Sequence, residues 1–172
     1  MQDNPMLRGL SALRDAWLQA SAEPAHRLLV WRLPANASRL LAAFFEMQRH
    51  DEGRDTPDYF LRIDTAYELG FRYSRQIKRD LLERYLASQD ELREQQVPLG
   101  WRGPHEAHAD SAKGVVDVLE SFVEHHREQM RLLAAVLEPE RCVPGEGFER
   151  WVEAALAAGP GPRLRLVLID SQ

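Results

Sequence analysis

Imidazoles and carboxylates lie close together in two places in the chain. His105, His108 and Asp110 fall within six positions, and Glu124, His125 and His126 are consecutive further on. Two or three imidazoles with a carboxylate form a zinc donor set that can leave one position open for an activated water, so a metal-assisted hydrolase acting through His105, His108 and His125 is one expectation. The spacing argues against it. Neighbouring residues on a helix point about 100° apart, so His125 and His126 cannot both face one ion. The stretch His105-Glu106-Ala107-His108 is one residue shorter than the zinc-protease signature and follows Pro104. His126 shares an apolar helical face with Phe122 and Met130, the setting of a hydrogen-bonded core histidine. No metal is expected. Nucleophiles are equally poorly placed. Cys142, the only cysteine, has no glycine-rich elbow, and Ser38, Ser111 and Ser171 lack the Gly-x-Ser-x-Gly setting. No catalytic residue is assigned. Recognition chemistry is better represented: Leu99, Trp101, Arg102 and His105 gather aromatic, arginine and apolar side chains in one loop, the composition enriched at binding hot spots.

These residues must be positioned by helices and short strands. Asn4-Pro5 is a helix start, with Met6, Leu10, Leu13 and Trp17 on one face. The apolar run 26–33 between Pro24 and Pro34 reads as a strand, and Leu40, Leu41, Phe44, Phe45 and Gln48 carry the helix after it. A second strand covers 58–64. A long helix over 74–96 and another over 111–130 form a helical hairpin that carries the 97–104 loop at its tip. The run 132–137 reads as a third strand, followed by a helix containing Phe148, Trp151, Val152, Ala155 and Leu156. Residues 163–170 read as a strand covered on both faces. Strands alternating with helices predict a three-layer α/β fold: a small, mostly parallel sheet flanked by helices.

Composition supports a single domain over residues 1–172. The chain is 44% hydrophobic and 28% charged, as globular chains are, and carries a net charge of −5, which does not suit a nucleic-acid surface. A lone cysteine forms no internal disulfide, and no apolar run approaches the ~20 residues of a membrane span, so a cytoplasmic location is expected, with neither nucleic acid nor membrane as partner. Arginine far outnumbers lysine, which occurs only at Lys78 and Lys113, a usage expected of a GC-rich bacterial genome. The chain stops two residues after its most apolar strand, which suggests the N-terminal domain of a longer protein.

The order strand, loop, helix at 27–41, with a late apolar strand ending in aspartate at 164–170, resembles the layout of P-loop nucleoside triphosphatases of the AAA and signal-transduction ATPase type. The resemblance implies a phosphate-binding loop at 32–39 and a magnesium-binding aspartate at Asp170. A phosphate loop needs glycines, a lysine and a hydroxyl. The loop here has no glycine and no lysine, and Pro34 removes an N–H donor. Ser38 matches the hydroxyl, but Arg39 follows it rather than precedes it. Asp170, like Asp64 after the second strand, also suits a simple strand end. Two functional expectations result. The first is a non-catalytic protein-interaction or adaptor module of a larger bacterial protein, of the kind found in effector delivery, signalling or defence assemblies, using Leu99, Trp101, Arg102 and His105 and needing no cofactor. The second is an atypical nucleotide-binding domain using Arg32, Asn36, Ser38, Arg39 and Asp170.

Overall fold

The structure, a computed structural model, describes residues 4–50, 53–103 and 108–171. Helix α1 (Pro5–Ser21) starts where the Asn4 side chain accepts the Met6 N–H at 3.0 Å, with Pro5 in the first turn, where its missing N–H costs nothing. Strand β1 (Leu28–Leu33) follows, then a 3₁₀ turn and α2 (Ser38–Arg49), β2 (Tyr59–Ile63), α3 (Gly70–Ala87), α4 (Gln89–Glu94) and α5 (Ala112–His125). The last elements are β3 (Leu133–Leu137), α6 (Gly147–Ala157) and β4 (Leu164–Ser171). The four strands form one all-parallel sheet in the order β1-β4-β3-β2.

Alternation along the strands divides the core into two layers. Leu133, Ala135 and Leu137 of β3, with Leu164 and Leu166 of β4, face α3, α5 and α6. Their neighbours Leu132, Ala134, Val136 and Val167 face Trp17 of α1 and Leu41, Phe44 and Phe45 of α2. A side-chain period of two places consecutive residues on opposite faces, and helices cover both, so the central strands read as uninterrupted apolar runs. The expected three-layer α/β architecture is what the structure has.

The helix boundaries differ from the periodicity. The helix expected over 74–96 begins at Gly70 and divides at Ser88, whose hydroxyl donates to the Arg84 carbonyl at 2.8 Å and competes with the helical ladder. The helix expected over 111–130 ends at His125, and the chain turns so that Arg131 can pair its N–H with the Pro57 carbonyl at the entry to the sheet. α3 and α5 still pack against each other as a hairpin.

Two polar clamps hold these layers. Asp58, fully buried, accepts from Trp17 Nε1 at 2.7 Å, from Arg131 Nε at 2.9 Å and Nη2 at 2.6 Å, and from the Leu132 N–H at 3.2 Å. It ties α1 to the sheet. On the other face, the buried Lys78 ammonium of α3 donates to the carbonyls of His108 and Ala109 and pairs with Asp110 at 2.8 Å. That clamp presses the loop onto α5, where a Cβ at Gly114 would lie 1.9 Å from the Ala109 carbonyl oxygen. Gly114→Ala should therefore cost about 2 kcal/mol, because main chain held from both sides yields poorly to overpacking. In a chain of this size that is a fall of roughly 6 °C in the thermal midpoint; an unchanged midpoint would mean that the loop is not clamped.

Candidate functional site

β2 is an edge strand, and its outer side is open. Tyr59 donates its N–H to the Leu132 carbonyl and Ile63 accepts from the Glu138 N–H, so alternate residues of β2 serve β3. The main-chain groups of Phe60 and Arg62 then point away from the sheet. The Arg62 carbonyl is taken by the Arg84 guanidinium at 2.6 Å, whereas the Phe60 N–H and C=O have no partner among the described residues.

This open edge forms the floor of a groove of about 610 Å³. One wall is α2, with Ala42, Phe45, Glu46 and Arg49; the other is α3 to α5, with Leu81, Arg84, Tyr85, Ser88 and Phe122, closed by Trp101 and Met130. The lining combines aromatic surface with four arginines, Arg49, Arg54, Arg62 and Arg84, against two carboxylates, Glu46 and Asp64. The Arg62 guanidinium lies 5.1 Å from the centre of the Phe45 ring and pairs with Glu138 at 2.6 Å.

Three buried side-chain atoms in this groove have no hydrogen-bond partner: His126 Nε2, Gln129 Oε1 and Arg62 Nε. Only two other such atoms occur among the described residues, on Tyr73 and Arg165. Buried polar atoms are rarely left unpaired, and three of the five found among the described residues belong to residues along this one groove. His126 is 2% exposed, and burial together with the neighbouring His125 pushes its pKa down to about 4. It is neutral at neutral pH, and its ring packs 4.5 Å from Phe122.

Trp101 is buried, with its indole N–H donating to Ser121 at 3.0 Å and its ring edge-on to Tyr85 and Phe122. It therefore faces inward and reaches a ligand only through the groove. Arg102 is exposed, Leu99 is half-buried, and His105 lies outside the described residues. For the nucleotide reading, the structure brings Arg32, exposed, and Asp170, half-buried, together in adjacent strands at 3.7 Å, while Asn36, Ser38 and Arg39 sit on the surface turn that starts α2. None of these five residues lines the groove, or the cavity of about 260 Å³ beside Asp64 and Thr65.

Comparison with protein families, with characterised proteins and with solved structures finds no match.

For the metal reading, no group of three or more histidine, cysteine or acidic side chains able to hold an ion exists among the described residues. Asp110, a proposed ligand, is occupied by Lys78 at 2.8 Å and Arg75 at 2.8 Å, which hold its carboxyl below the usual range. Cys142 is exposed, beside the Val143 carbonyl. No described helix is long and apolar enough to cross a membrane. The groove holds no nucleophile beside a base: the Ser88 hydroxyl donates to main chain, and His126 Nε2 touches no hydroxyl.

Of these groove residues, sequence reasoning found Trp101 and placed His126 in the core. It missed Arg62, Arg84 and Gln129. The signal for Arg62 was present, since an arginine inside the short strand 58–64 is typical of an edge.

Proposed function

We propose that this chain is a protein-interaction module whose recognition surface is the groove along β2. The carrying observation is the coincidence of an unpaired strand edge with a lining of aromatic and arginine side chains along one groove, three of whose residues carry a buried polar atom without a partner. The 97–103 loop contributes through Trp101, which shapes the groove from within. The nucleotide reading finds less support, because Arg32, Asn36, Ser38, Arg39 and Asp170 line neither the groove nor the smaller cavity beside Asp64.

The test is site-directed photo-cross-linking in cells of the source organism. A photoreactive amino acid at Ala42, exposed on the groove wall, is expected to capture a defined partner segment, identified by mass spectrometry. The same group at Arg32, on the opposite edge, is expected to capture none, and Ser88→Trp is expected to abolish capture from position 42 by filling the groove. Equal capture from both positions refutes the reading. So does saturable binding of labelled ATP with magnesium that displaces the captured protein.

A further inference from the structure

Resting on the interaction reading above, a more specific inference concerns what the groove admits. The floor is not a smooth apolar surface. It is a strand with the Phe60 N–H and C=O and the Arg62 N–H directed outward, so an extended chain laid along it would gain main-chain hydrogen bonds at every second residue. The five residues of β2 extend about 17 Å at the rise of a strand, which accommodates five or six residues of an added one. A second copy of this chain cannot provide that strand from its own β2, because that edge is equally recessed between α2 and the α3–α5 wall. β1, at the other end of the sheet, carries the exposed Val30 and Arg32 and contributes no residue to this groove.

Charge chooses among the segments that remain. Around the groove four arginines face the carboxylates of Glu46 and Asp64 and of Glu138, which pairs with Arg62, leaving a local excess of positive charge in a chain whose net charge is −5. Arg84 uses one N–H on the Arg62 carbonyl and keeps its others, and the exposed Arg49 meets Glu46 only at 3.5 Å. Guanidinium donors without acceptors are matched by carboxylates. At the other end, Gln129 Oε1 and His126 Nε2 sit among Tyr85, Phe122 and Met130, where an apolar side chain with main-chain polar groups fits better than a second charge.

The geometry points to an acidic, extended segment of a partner protein that adds to β2 as a fifth strand, pairing its main chain with Phe60 and its carboxylates with Arg49 and Arg84.

The probes are three capped six-residue peptides: alternating glutamate and valine, alternating lysine and valine, and the glutamate peptide N-methylated at alternate residues. Binding is followed by nuclear magnetic resonance, with amide exchange of Phe60 as the readout that a contact elsewhere would not move. The glutamate peptide should bind saturably and slow Phe60 exchange. The lysine and N-methylated peptides should bind at least about tenfold more weakly, the loss expected from one charge-assisted or main-chain hydrogen bond. Arg49→Glu, at an exposed position where folding is not at risk, should weaken the glutamate peptide and strengthen the lysine one. Equal binding of the lysine peptide overturns the acidic preference, and equal binding of the N-methylated peptide overturns strand addition. If no peptide binds while position 42 still captures its partner, this inference fails and the interaction reading stands; loss of that capture fails the reading itself.

Discussion

Asp58→Ala should lower the free energy of unfolding by about 3–5 kcal/mol, the cost of leaving two buried N–H donors and the half-buried Arg131 guanidinium without their partner. The carboxylate is 0% exposed and accepts four hydrogen bonds, so its loss strands the Arg131 guanidinium, the Trp17 indole N–H and the Leu132 N–H together. Arg131 also donates to Ser21 Oγ at 2.9 Å, so the same change loosens the end of α1. Chemical denaturation of the purified variant measures the loss. A double replacement, Asp58→Ala with Arg131→Met, should recover part of it, because the uncompensated charge is then gone. Additive losses in the two single variants would show that the pair is not coupled.

The second large effect is on the acid side of neutrality and comes from His126. Its pKa is about 4 in the folded chain and 6.5 in the unfolded one, so between those values the unfolded chain binds a proton that the folded chain does not. Stability contributed by the neutral ring is fully present above pH 6.5, declines as the pH falls toward 4, and changes no further below that. Integrated over the interval, the loss is about 3 kcal/mol. Among the described residues the groups facing the ring are His125, at 4.7 Å, Tyr85 and Phe122, none of them a carboxylate that would oppose the effect of burial. His126→Phe keeps an aromatic ring there and removes the titration. Denaturation midpoints measured at pH 7 and pH 4.5 should fall much further in the wild type than in this variant; parallel falls would show that His126 does not titrate low.

Much of the fold was legible because burial on both sides of a sheet leaves a trace in composition. Residues 132–137 and 164–170 have no polar alternation beyond Arg165, and they are the two central strands. The helices were found by their apolar faces, but their ends were not, since the break at Ser88 and the stop at His125 depend on a side-chain bond and on where Arg131 must dock. The groove was less legible. It exists because β4 inserts between β1 and β3 and leaves β2 outermost, an order set by crossovers rather than by any residue pattern. Trp101 shows the same gap at one residue. An aromatic beside an arginine in a proline-rich loop has the composition of an exposed contact, and only the positions of Tyr85, Ser121 and Phe122 determine that it turns inward.

The clamp on the 108–110 loop has a practical side. Lysine occurs only twice in the sequence, and the Lys78 amine is buried and spent on two carbonyls and Asp110. Lys113, paired with Asp117 at the start of α5, keeps its side chain in solvent. Of the two lysine amines, a dye or tether in the native protein therefore finds only that of Lys113 accessible, which makes it the side chain through which amine-directed labelling proceeds.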